Sequence, residues 1–304
     1  MSGRSRDGPA TRWRIRDASI ALDRPVIAGI LNVTPDSFSD GGRFLDPGSA
    51  REHAAAMVAE GADLIDVGAE STRPGARAVP ADEEWRRLEP VLSGVVRLGV
   101  PVSVDTVKRE VAERALDGGA SIINDVSGLS NDPELATLAA RTGAGLVLMH
   151  MRGTPRTMQD DTAYDDVVAE VADALAKARL RAFEAGCEPD RVAIDPGIGF
   201  GKSLEGNLEL IARLDELTAL GAPVWIGPSR KSFLGALLRV PPAERVEGTI
   251  AACVAALVRG ARVFRVHDIR PVRHALDVAW AIERAAGAAG DAAGTRVEEP
   301  AGSR

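Results

Sequence analysis

The chain has 304 residues, 45% of them apolar, a formal charge of −7 and two cysteines. That is enough apolar chain for one large domain. The acidic balance leaves no basic stripe for a nucleic acid, and Cys187 and Cys253, with neither CxxC spacing nor a nearby His, exclude a disulfide framework and fit a reducing cytoplasm. No apolar stretch reaches the about 20 residues of a membrane helix, and Arg4, Arg6, Arg12, Arg14 and Arg16 have no apolar core behind them, as a secretory signal would.

Residues 1–11 are polar and read as a solvated tail. Trp13, Ile15, Ile20 and Leu22 alternate loosely, which predicts a small hairpin closing the bottom of the domain within the segment 1–24. Eight short apolar runs then follow, each ending in polar residues. Val26–Asn32 ends in Asn32, 64–70 in Glu70, Val102–Asp105 in Asp105 and 122–124 in Asn124. The run 146–150 ends in His150, Val192–Asp195 in Asp195, and 223–229 at Ser229-Arg230-Lys231, while 263–267 carries Arg265 and His267. Continuous apolar runs are the pattern of parallel strands covered on both faces.

Helical periodicity separates the runs, over 49–60, 82–98, 107–116, 133–141, 167–185, 204–220, 244–259 and 271–286. Ser49-Ala50-Arg51-Glu52 has capping-box spacing. Gly61, Gly99, Gly119, Gly143, Gly186, Gly221 and Gly260 each stand where a helix should stop before the next strand. The repeat predicts a single-domain α/β fold, a (β/α)8 TIM barrel over 25–286, with a disordered C-terminal tail over 287–304. A doubly wound open sheet is the competing arrangement. A barrel sets its chemistry at the carboxyl ends of its strands, so the eight polar ends should share one mouth.

Those ends carry recognisable chemistry. The loop 32–42 mixes turn formers with hydroxyls and one aromatic, Phe38, suited to contact a flat ligand. Thr72-Arg73-Pro74-Gly75 offers a stiffened Arg to an anion. Asp105, Asn124 and Asp195 are two carboxylates and an amide that would be poorly solvated in a barrel mouth, and the set fits a heterocycle with an amidine-like edge. Residues 195–202 are Gly-rich without Walker spacing, so Gly201-Lys202-Ser203 is not read as a nucleotide loop. Ser229-Arg230-Lys231-Ser232-Phe233 opens a helix, and Arg265 and His267, two apart, read as a cationic pair for a phosphate-like group. His150, between two methionines, is a candidate lining residue. No two His have ligand spacing for a metal.

Taken together, these loops resemble the dihydropteroate synthases, the pterin-binding TIM-barrel family that sulfonamides inhibit; the likeness runs from about Pro25 to Ala286. The resemblance implies condensation of 6-hydroxymethyl-7,8-dihydropterin pyrophosphate with p-aminobenzoate, releasing pyrophosphate. It implies that Asp105, Asn124, Asp195 and Lys231 grip the pterin and that Arg265 stacks on it and touches pyrophosphate. Asp105, Asp195, Lys231 and Arg265 would carry the catalysis. Asn32, Thr72, Arg73 and His267 would hold the diphosphate, with Mg2+ as cofactor near Asn32 and Asp40. Phe38, Pro74, Phe200, Lys231 and Ser232 would shape the p-aminobenzoate slot. The family is commonly homodimeric. A corrinoid-linked methyltransferase that binds methyltetrahydrofolate and a non-catalytic pterin-binding paralogue are the alternatives.

Overall fold

A computed structural model describes residues 10–34 and 47–294, with side chains through residue 286. Phe38 and Asp40 lie outside the described residues.

Two short strands, β1 (Arg12–Ile15) and β2 (Ala18–Ala21), pair antiparallel. Eight parallel strands among the described residues follow: β3 (Val26–Asn32), β4 (Leu64–Gly68), β5 (Val102–Asp105), β6 (Ile122–Asp125), β7 (Gly145–Met149), β8 (Val192–Asp195), β9 (Trp225–Ile226) and β10 (Val263–Val266). Their order is β8-β7-β6-β5-β4-β3-β10-β9. The two ends of that order meet where Ile194 bridges Val224 and its N–H donates to Pro223 O at 2.9 Å. The sheet is therefore closed, and the open-sheet alternative falls.

The register decides where the polar ends lie. Asn32 is opposite Gly68, Gly68 opposite Asp105, Asp105 opposite Asn124, and Met149 opposite Asp195. Strands whose last residues stay level present their side chains at one mouth. At the other end the hairpin packs on the strand beginnings. Trp13 and Trp225 meet edge to face with centroids 6.0 Å apart, and the Trp13 indole donates to Arg191 O at 2.9 Å.

The helices are α1 (Pro47–Ala59), α2 (Ala81–Val96), α3 (Arg109–Asp117), α4 (Glu134–Thr142), α5 (Val167–Glu184), α6 (Leu204–Ala212), α7 (Asp215–Thr218), α8 (Ser232–Leu238), α9 (Val246–Leu257) and α10 (Ile269–Gly294). All seven glycine stops have positive φ, from +68° at Gly143 to +105° at Gly61, a conformation that costs glycine little.

Five local expectations are corrected. Helix α1 begins at Pro47, so Ser49 sits inside its first turn rather than capping it. The helix expected over 204–220 is two, α6 and α7. Arg213 stands at the break and bonds Glu209, Glu216 and Asp166, while Leu214 is drawn fully into the core. The strand expected over 223–229 pairs only at Trp225–Ile226, because Gly227 and Pro228 follow and proline has no N–H for a ladder. The helix expected over 244–259 starts at Val246, after the separate helix α8 and a 3-10 turn at Pro242–Glu244. Helix α10 continues to Gly294, past the expected end at 286; this stretch is rich in alanine, the strongest helix former.

Candidate active site

Asp105 and Asp195 close β5 and β8, and Asn124 is the last residue but one of β6, where the chain leaves the barrel wall; all three are buried. Arg265 reaches them from β10. Its Nε donates to Asp66 Oδ2 at 2.6 Å and its Nη2 to Asp105 Oδ2 at 2.8 Å. The Asn124 amide donates to the same Asp66 at 3.3 Å. Asp195 Oδ1 accepts from Gly197 N at 2.7 Å. Lys231 caps α8, and its Nζ stands 3.8 Å from the centroid of the Phe200 ring, a cation–π distance.

These groups line a narrow recess at the barrel mouth. Thr72, Asp105, Asn124, Asp195, Lys231 and Arg265 supply its polar wall; Val126, Met149, Ile198 and Phe200 supply the apolar one. Burial is the main perturbation of its charges. It lifts Asp105 above the usual carboxylate range, although Arg265 pulls it back, and pushes Asp195 up to about 6. It pushes Lys231 down to about 8, helped by Arg265. When ionised, three carboxylates (Asp66, Asp105, Asp195) face two cations (Arg265, Lys231). An excess carboxylate in a low-dielectric recess favours a flat ligand rich in N–H groups.

His267 lies one residue past β10. Its backbone N–H donates to Ser229 Oγ at 3.2 Å, and Ser229 Oγ lies 3.0 Å from its Nδ1. The hydroxyl and Nδ1 share one proton between them, and which of the two donates depends on the ring tautomer. Burial, with Arg265 and Arg230 nearby, pushes the imidazole down to about 3. The expected cationic pair is thus a cation beside a neutral N–H donor. Two positive charges this close destabilise each other.

The other expected residues stand apart. Asn32 is half-buried at the end of β3, the neighbour of β10. Arg73 and Pro74 are exposed on the loop after β4, which reaches across to the loop after β7 where Gly75 N donates to Pro155 O at 2.9 Å. Ser232 is exposed on the first turn of α8. None of Asn32, Arg73, Pro74, Ser232 or His267 lines the recess itself.

The glycines of 195–202 have a packing cause. A Cβ on Gly197, whose φ is +70°, would sit 1.9 Å from His150 O. The backbone approaches too closely for any side chain.

Comparison with known proteins decides the family. The family model described as pterin binding enzyme matches residues 28–267. The chain belongs to the pterin binding enzyme family. It is 46% identical over 272 residues to the dihydropteroate synthase of Neisseria meningitidis serogroup B, covering 88% of this chain and 95% of that one. The crystal structure of the Yersinia pestis dihydropteroate synthase with a sulfonamide drug complex superposes with a TM-score of 0.86 at 42% identity, covering 90% and 99% of the two chains. That of the Thermus thermophilus enzyme in complex with 4-aminobenzoate gives 0.80 at 50% identity, covering 89% and 99%.

Within this family frame, three features escaped the sequence reading. Asp66 is fully buried in mid-strand and anchors Arg265; a charge inside an apolar run was the signal for it. Lys108 bonds both Glu70 and the buried Glu84, tying the start of the loop after β4 to α2. Lys202 bonds His150, joining the loops after β7 and β8. Nothing local in the sequence announces the last two pairings.

Proposed function

We infer that this chain is a transferase that condenses 6-hydroxymethyl-7,8-dihydropterin pyrophosphate with p-aminobenzoate, giving 7,8-dihydropteroate and pyrophosphate, and that it is a target of sulfonamides. The observation that carries the reading is the buried floor of Asp105, Asn124 and Asp195 between Lys231 and Arg265, in a chain 46% identical to a dihydropteroate synthase.

In this reading Asp105 and Asp195 accept N–H bonds from the pterin edge, with Asn124 and Lys231 completing the grip. Arg265, held in its plane by two carboxylates, offers its face to the ring. The C–O bond to the diphosphate breaks and its electron pair leaves with pyrophosphate. The carboxylates stabilise the positive charge left on the pterin methylene. The arylamine lone pair then forms the new C–N bond and the nitrogen gives up a proton. An aryl amine is neutral at pH 7, so no Ser–His or Cys–His dyad is needed. His267, with Thr72, Arg73 and Asn32, holds the departing group. Phe200, Lys231 and Ser232, together with Phe38 and Pro74, form the p-aminobenzoate slot.

Mg2+ is the proposed cofactor, and it would neutralise diphosphate charge. Asn32 suits it, with a half-buried amide at the end of β3, because Mg2+ takes oxygen ligands and few of them from protein. The described residues hold no cluster of three or more His, Cys, Asp or Glu that could bind a metal. The remaining ligands would be Asp40, phosphate oxygens and water.

We also propose a homodimer, a cytoplasmic location and a single catalytic domain over 25–286. Leu208, Leu237 and Leu238 are exposed along a groove on α6, α8 and α9, which supports the dimer. Both cysteines are free and buried, and none of the described helices is long and apolar enough to cross a membrane.

The test is pyrophosphate release by the purified protein with pterin pyrophosphate and Mg2+. Release should depend on p-aminobenzoate. Release that ignores p-aminobenzoate, or no release, overturns the reading.

A further inference from the structure

Lys202 is 4% exposed, yet no carboxylate among the described residues lies within ion-pair distance of it. Its Nζ instead meets three neutral acceptors: Phe200 O at 2.8 Å, His150 Nδ1 at 2.9 Å and His150 O at 3.2 Å. An ammonium has three N–H donors, so the acceptors match it one for one. The charge of Asp195 acts on it without a direct ion pair; burying an amine this way is costly, and a loop junction needing only adhesion would be served by an apolar side chain.

The placement of the acceptors gives the cation a use. His150 belongs to the loop after β7 and Phe200 to the loop after β8. Other side chains secure the β8 loop at different points. Asn207 accepts from Gly199 N at 2.6 Å, and Tyr164 OH donates to Gly201 O at 2.8 Å. Lys202 holds the peptide of Phe200 itself, whose ring walls the recess and faces Lys231. Fixing that carbonyl fixes the direction in which the ring leaves the backbone.

We propose that Lys202 is a positioning residue for the aromatic co-substrate: through His150 and the Phe200 carbonyl it sets the angle of the Phe200 ring against which p-aminobenzoate packs. It touches neither substrate. The proposal rests on the reading of the recess as the site of pterin and p-aminobenzoate.

The experiment compares steady-state kinetics of the full-length wild type, Lys202→Met and His150→Leu, each checked for folding by circular dichroism. Methionine keeps the unbranched stem of lysine, one atom shorter, and loses all three bonds. Leucine removes one acceptor and leaves both carbonyls. Lys202→Met should raise KM for p-aminobenzoate by about tenfold or more, since small misplacements of a packing wall carry such costs, with KM for pterin pyrophosphate changed by less than about twofold. His150→Leu should raise the same KM by about threefold, less than Lys202→Met because two of the three acceptors remain. If Lys202→Met does not fold, His150→Leu decides. Equal changes in both KM values, or an unchanged KM for p-aminobenzoate, overturn the proposal. A wild type that releases no pyrophosphate in this assay overturns the functional reading instead.

Discussion

Arg265 Nε and Asp66 Oδ2 lie 2.6 Å apart, and Asp66 has no solvent exposure. The guanidinium at the centre of the mouth is therefore anchored from beneath by the middle of β4, while Asp105 holds its other edge at 2.8 Å. A planar cation pinned along both edges keeps its face for stacking. Asp66 orients the group expected to lie against the pterin.

Replacing Asp66 by Asn keeps the shape and removes the charge. A charge-assisted hydrogen bond is worth about 1.5–3 kcal/mol, so kcat/KM should fall by about tenfold or more. Steady-state kinetics check this. An unchanged value would mean that Asp105 alone orients Arg265.

Asp195→Ala should lower turnover by several orders of magnitude while the barrel still folds. It removes a buried acceptor from the recess proposed to take the pterin, without touching the strand pairings of β8. Pyrophosphate release and circular dichroism read the two halves of this expectation. Near-normal turnover would refute the role.

The pH dependence follows from the same carboxylate. Burial raises Asp195 from its ordinary 3.8 to about 6. A raised acid contributes stability that is fully present below 3.8 and is lost as pH rises through about 6. Pterin N–H groups need the ionised form, so pterin binding should strengthen over that interval and release protons below about pH 6. Calorimetry in two buffers of different ionisation heat measures the protons. A constant proton count of zero at pH 5 would contradict it.

Sulfamethoxazole should inhibit, in competition with p-aminobenzoate and not with pterin pyrophosphate. Its ring would occupy the wall formed by Phe200 beside Lys231. A dose–response at two p-aminobenzoate concentrations checks both points; no inhibition at high drug would refute it.

Lys108→Met would leave Glu84, which has no solvent exposure, without its cation at 2.5 Å. Breaking a buried pair costs about 3–5 kcal/mol. Urea unfolding should register a loss of that order, and the double change Lys108→Met with Glu84→Gln should recover part of it. A single variant as stable as wild type would show that Glu84 is satisfied elsewhere.

What the sequence determined by itself was the repeat. Strand, helix and glycine stop are each written in neighbouring residues, as apolar runs, 3.6-residue periodicity and positions that tolerate positive φ. That local code was enough to predict eight strands and to nominate Asp105, Asn124, Asp195, Lys231 and Arg265 from the strand ends. Tertiary structure alone decided the partners and the charges. Asp66 and Arg265 are 199 positions apart, and Lys202 and His150 are 52 apart; no periodicity links such pairs. His267 looked cationic beside Arg265, but burial among cations makes it neutral. Hydrogen-bond partners and local dielectric arise only when distant segments close on one another.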